Sequence, residues 1–179
     1  VLVEWFNDSG FMDLPVMWVL AHEEILREGY AYVGVSAQTV GVQSSPLSLK
    51  LWDPVRYSSL THPGDEYAHD IFGQAVMALL PSASSAILGQ LNPKSIIAMG
   101  ESQSCTLLSQ YRNKVHQDHG VFDGYLLHSC NSNLDPTISA PTILFMNESE
   151  VTGFYSPSSN LLKTLGVLPS FLTDIPGLG

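Results

Sequence analysis

The sequence is short of positive charge, of cysteine and of long apolar runs. Seven Lys and Arg stand against 17 Asp and Glu among 179 residues, a formal net charge of −10. A nucleic-acid backbone or an anionic membrane needs basic patches, so this balance argues against both partners. No apolar run approaches the roughly 20 residues needed to span a bilayer. The N-terminal residues lack the basic, apolar, small-residue order of a signal peptide. The two cysteines, Cys105 and Cys130, fit no metal-ligand spacing. They are expected as buried small apolar residues, with a disulfide as the less favoured alternative. No Gly-x-Gly-x-x-Gly or Walker-type loop follows any strand candidate, which disfavours nucleotide binding. Neither a metal nor a cofactor is expected.

What is present is enough apolar residue, 45%, to bury a sizeable core in one domain. Val1 to Phe6 is a strand candidate, broken by the turn chemistry of Asn7-Asp8-Ser9-Gly10. Pro15 to Glu28 has helical periodicity, with Val16, Val19, Leu20, Ile25 and Leu26 on one stripe and Gly29 as C-cap. His22 is expected to have a structural role there. Tyr30 to Ala37 is nearly continuous in apolar character, as in a strand covered on both faces. Gln38 to Tyr67 reads as a long irregular loop, packed in part by Trp52, Tyr57 and Tyr67 and suited to one wall of a cleft. Further segments follow as a helix (67–80), a strand, a helix to about Val115 and two more strands (121–129 and 141–147). This rhythm predicts an α/β fold: a mostly parallel sheet with helices on both faces. The expected division is a core over 1–151 and an irregular segment over 152–179.

One stretch carries chemistry. Lys94 to Leu108 reads as a strand, a tight turn and a helix, with Ser102 at the apex between Gly100 and Ser104. This approaches the Gly-x-Ser-x-Gly elbow, in which a strained turn lifts a serine hydroxyl above the sheet. Small residues are needed on either side because strand and helix backbones approach closely. The same residues would also serve a serine-rich turn. After the fifth strand candidate come Glu148 and Glu150. Carboxylates at a strand exit lie where open parallel sheets bind ligands, and they would equally suit an exposed acidic turn.

Several phrases occur in one order: Val3-Glu4-Trp5-Phe6-Asn7, Ala21 to Gln38, His62-Pro63-Gly64-Asp65, Asp70-Ile71-Phe72, Gly100-Glu101-Ser102-Gln103-Ser104 and Val121-Phe122-Asp123-Gly124. On these the chain resembles the α/β-hydrolase superfamily, and more narrowly a family of esterase-like alpha/beta hydrolase domains, over about residues 1–151. The resemblance implies a partial α/β-hydrolase fold and a serine hydrolase of carboxylic esters, working on a small-molecule ester through an acyl-enzyme. It implies Ser102 as nucleophile and the Gln103 N–H as first oxyanion donor. A second donor is expected from the Asn7-Asp8 loop. Glu150 takes the place of the acid, with Glu148 as the near alternative.

The pattern then breaks. The order in such enzymes is serine, acid, histidine, and none of the six histidines follows His128. Because the chain also begins inside a strand without an initiator Met, it is expected to be incomplete at both ends. Two other readings remain: a non-catalytic relative that binds a ligand or partner, or a histidine substituting from within the chain. For the last, His128 lies at a strand end and His62 in the cleft loop, while His69, His116 and His119 look like ordinary helix or surface residues. Neither localisation nor oligomeric state is legible.

Overall fold

The computed structural model describes residues 1–6, 12–80, 87–88, 91–130 and 132–146. Five strands run through them: β1 (Leu2–Trp5), β2 (Tyr32–Val35), β3 (Ile97–Glu101), β4 (Gly124–His128) and β5 (Thr142–Phe145). All pair in parallel, in the order β2-β1-β3-β4-β5. The helices are α1 (Val16–Arg27), α2 (Leu49–Trp52), α3 (Pro54–Tyr57), α4 (Ala68–Met77), α5 (Ser102–Lys114) and α6 (His116–His119).

Alternate residues of a strand point to opposite faces, and β1 shows which helix covers which. Val3 and Trp5 face α4 and α5. The Trp5 ring lies 4.7 Å from that of Phe72 on α4, and Phe72 lies 5.7 Å from Tyr111 on α5. These three rings are fully buried and centre the core. Glu4 faces the other way, to α1. Its carboxylate accepts from the backbone N–H of Met17 at 2.9 Å and of Trp18 at 3.2 Å, and from the Tyr32 hydroxyl. A strand carboxylate thus satisfies first-turn donors of a helix that has no side-chain cap of its own. Burial pushes the Glu4 pKa up, against the three hydrogen bonds.

Two expectations are corrected. The α1 stripe is not its buried face: Val19, Leu20 and Leu26 are exposed, and only Ile25 is buried. Periodicity tells which residues share a face, whereas α1 is anchored by its first turn to Glu4. The segment after β2 is also more regular than expected. It holds a π-turn (Val40–Ser44), α2, α3 and a 3-10 turn (Asp65–Tyr67). Of the aromatic residues expected to pack it, Tyr57 is partly buried, but Trp52 is 78% exposed and Tyr67 is exposed as well. Polar ties hold the segment instead. Asp65 Oδ1 accepts from the Thr39 N–H at 2.7 Å and hydroxyl at 2.9 Å. Lys50 Nζ donates to the Leu60 carbonyl at 2.8 Å.

Candidate active site

Because all five strands are parallel, the residues that follow them gather at one edge of the sheet. The chain departs from β1 to β2 on one side, and β3 to β5 extend on the other. The strand order therefore reverses between β1 and β3, and ligands of open α/β sheets bind outside the carboxyl ends at such a point. Ser102 follows β3 directly and opens α5.

Its backbone is unusual. Ser102 has φ +53°, in the left-handed region that L-residues other than glycine avoid at a cost of about 1–3 kcal/mol. Gly100 explains how the turn closes. A Cβ there would lie 3.0 Å from the backbone of Ser104 and Cys105, so even a methyl would press strand and helix apart. Ser104 is fully buried beneath the turn, and its hydroxyl has no partner among the described residues. No side chain caps the start of α5, and the first N–H groups of a helix have no intrahelical acceptor. The half-buried Ser102 sits over this start, with exposed Gln103 next to it.

The histidines divide clearly. His62 is buried and locked: its Nε2–H donates to the Ala37 carbonyl at 3.0 Å, and its Nδ1 accepts from the Gly64 N–H at 3.2 Å. Its backbone pairs twice with the Gln43 side chain. Both ring nitrogens are engaged, so the expected cleft histidine is a structural pin of the loop. His22 contacts the Trp18 carbonyl at 3.1 Å, as expected of a structural residue. His69, His116 and His119 are more than surface residues. They reach the Leu107 carbonyl, the Tyr125 hydroxyl and the Tyr111 hydroxyl at 3.3, 2.9 and 2.9 Å. His128 alone ends a strand at the edge where Ser102 lies. It pairs across the ladder with Glu101, the residue before Ser102, and its ring lies 4.9 Å from Phe145. Among the described residues no side chain hydrogen-bonds to the Ser102 hydroxyl.

The expected acids Glu148 and Glu150, and the expected oxyanion residues Asn7 and Asp8, lie outside the described residues. Among the described residues no group of three His, Cys, Asp or Glu could hold a metal, and no helix is long and apolar enough to cross a membrane. A concavity of about 580 Å³ opens at the opposite edge of the sheet, lined by Val1, Tyr30 and Lys94 among others, far along the strands from Ser102.

The cysteines are buried as expected, but it is the less favoured alternative that holds. Cys105 and Cys130 form a disulfide, with Cα atoms 5.8 Å apart, inside the range a disulfide allows. The first turn of α5 packs on the exit of β4 and brings together residues 25 apart in sequence. Spacing alone could not show this.

Residues 1–158 match the family model described as Alpha/beta hydrolase domain. The chain belongs to this family. The hydrolase domain has no significant match among curated proteins or solved structures. Sequence reasoning held the disulfide only as the less favoured alternative and missed Arg112 on α5, a residue 5% exposed whose guanidinium braces the crossover from β4 to β5. Its Nε donates to Thr142 Oγ1 at 2.8 Å, and its two terminal nitrogens reach Asn113 Oδ1 and the carbonyls of Asp135, Ile138 and Ala140. Nothing in the sequence marks an arginine on a helix as buried.

Proposed function

We propose that this hydrolase domain is a serine hydrolase of carboxylic esters, with Ser102 as nucleophile on a strand-to-helix elbow. The observation that carries the reading is the left-handed Ser102 at the switch point, tightened by Gly100. Strain of this kind concentrates at functional sites. In the reaction, Ser102 Oγ attacks the ester carbonyl while a histidine takes its proton. The negative charge on the carbonyl oxygen is met by the Gln103 N–H and by a donor from the Asn7-Asp8 loop, which continues from the strand paired with β3. The alcohol leaves with the proton from the histidine, and water then frees the acid from Ser102. Glu150, or Glu148 beside it, orients the histidine. The base is either His128, beside Glu101 on the ladder, or a histidine outside this chain.

A second reading is a non-catalytic domain that binds a ligand or partner at the same edge. It is favoured by the absence, among the described residues, of a side chain bonded to the Ser102 hydroxyl.

Labelling with a fluorophosphonate probe tests both. The folded protein is expected to label, Ser102→Ala to lose all labelling, and His128→Ala to lose it only if His128 is the base. Labelling that survives Ser102→Ala excludes this nucleophile. A folded protein that does not label, alone or within a longer chain, leaves the binding reading.

A further inference from the structure

Among the described residues, two that are not glycine have a left-handed φ: Ser102 at +53° and Ser129 at +59°. They are neighbours. Glu101 and His128 are paired across β3 and β4, so each strained residue is the first one past the same rung of the ladder. The disulfide lies directly behind this pair of turns. Cys105 is three residues after Ser102, one helical turn on, and Cys130 follows Ser129. Both cysteines are buried, at 0% and 4% exposure, and the buried Ser132 hydroxyl contacts Cys130 Sγ at 3.0 Å. Strained backbone persists only where its surroundings over-determine it. On the β4 side the only other hold among the described backbone bonds is the Ser129 N–H donating to the Phe145 carbonyl at 3.0 Å.

We propose that the Cys105–Cys130 disulfide is a positioning clamp that holds the two strained strand exits side by side, so that the presentation of Ser102 beside the β4 exit depends on the oxidised form. This rests on the reading of Ser102 as nucleophile. The geometry sets the consequence. Cut the bond, and each turn can relax toward an ordinary φ independently, moving Ser102 Oγ against the donors at the start of α5. A shift of about 1 Å at a reacting atom can lower a rate by 10²-fold. Both cysteines belong to the core, but its centre is the Trp5, Phe72 and Tyr111 rings, and two buried thiols can fill the same space, so the domain is expected to stay folded. Reduction by a dithiol such as dithiothreitol supplies two electrons and two protons, gives two thiols, and leaves the reductant as a cyclic disulfide. Oxidised glutathione reverses the step and departs as two glutathione thiols. A bond of this kind persists where thiols are not kept reduced.

The experiment uses the oxidised protein, the dithiothreitol-reduced protein, the reoxidised protein and Cys105→Ala/Cys130→Ala. Alkylation after denaturation, read by intact mass, counts thiols: none is expected before reduction and two after, and two before reduction overturns the proposal. The rate of fluorophosphonate labelling is expected to fall at least tenfold in the reduced protein and the double variant, with unchanged far-UV circular dichroism, and to recover on reoxidation. A merely structural bond would lower the melting temperature and leave that rate alone, which also overturns the proposal. If the oxidised wild type labels neither alone nor within a longer chain, the esterase reading fails. Amide hydrogen exchange then decides the clamp by itself. Lost protection confined to the amides that bond the first-turn carbonyls of α5 and to the Ser129 N–H supports it, and unchanged or uniformly lost protection rejects it.

Discussion

At its first turn, α5 carries a residue in a strained conformation, a buried Ser104 hydroxyl without a partner among the described residues, and a covalent tie to the β4 exit. Two turns later the same helix carries Arg112, whose guanidinium is buried with acceptors for every nitrogen. Tyr111 beside it is fully buried and joined to His119. One end of the helix stores strain and leaves a polar group without a partner among the described residues. The other is braced by hydrogen bonds to the crossover it supports. Local strain needs a rigid neighbour to survive, and the braced half of α5 supplies one. The difference teaches where to cut: changes at the C-terminal half should unfold the domain, and changes at the N-terminal turn should leave a fold with an altered site.

The largest effect is expected from Arg112→Ala. It removes five hydrogen bonds from a buried guanidinium, leaves the Ile138 carbonyl without its donor and opens a cavity, while the Ala140 carbonyl keeps the Thr142 hydroxyl and the Asp135 carbonyl keeps the Ile138 N–H. A hydrogen bond to a charged group contributes about 1.5–3 kcal/mol. The loss should reach about 3 kcal/mol or more in urea unfolding. Arg112→Lys should not restore it, because one ammonium cannot span these acceptors. A loss under about 1 kcal/mol would mean that the crossover is held by something else.

Gly100→Ala probes the other end. Its Cβ would meet main-chain atoms of Ser104 and Cys105 at 3.0 Å, where nothing flexible can give way. Strand and helix must part slightly, at a cost of about 2 kcal/mol, similar to other overpacked sites. The fluorophosphonate labelling rate should fall far more than the stability loss explains. If labelling and stability fall in proportion, the two ends of α5 are not functionally different.

How much of this contrast was legible in the sequence differs between its halves. The Gly100 to Ser104 phrase marked the turn because close backbone approach demands small residues at fixed positions, a local constraint. The parallel sheet was legible because apolar runs such as Tyr30–Ala37 and Val121–Ser129 stand between helical periods. The burial of Arg112 was not, and the disulfide was legible only as an alternative, since each depends on what a helix meets after the chain has folded back. The same limit explains α1. The stripe of Val19, Leu20 and Leu26 was visible, yet the buried Glu4 that docks the helix acts across the fold. His62 looked like a cleft residue for its place in a loop, and only its two ring contacts reveal a pin.

Acid should sharpen the contrast from the braced side, with a smaller effect. Burial lowers the pKa of His69, against the Leu107 carbonyl, and Lys114 and His119 push it the same way while Asp70 opposes them. Burial and then the Arg112 charge lower that of His116. A histidine lowered in the folded state is less protonated there than in the unfolded chain. Its contribution is full above the unfolded value of 6.5 and is lost as pH falls from there through the folded pKa. Glu4 and Asp13, whose pKa values are raised by burial, change stability in the opposite sense. The clean measurement is therefore a difference. The gap in melting temperature between wild type and His69→Gln should narrow as pH falls from about 7 to 5. A constant gap would show that the His69 ring is not held neutral against α5.

The smallest effect, and the one with the opposite sign, is expected from Ser104→Ala. Serine and alanine differ by one hydroxyl, and this hydroxyl is fully buried without a partner among the described residues. A buried polar group that makes no hydrogen bond opposes folding, so its removal should stabilise the domain by up to about 1 kcal/mol. Alanine is no larger, so the close approach of Gly100 is untouched. Because the side chain points into the core beneath the turn, labelling of Ser102 should keep its wild-type rate. The pair of readouts matters. A stabilised domain that labels normally places the unsatisfied hydroxyl outside the chemistry. If stability rises while labelling slows, the strain at this end of α5 includes Ser104, and relaxing it weakens the presentation of Ser102.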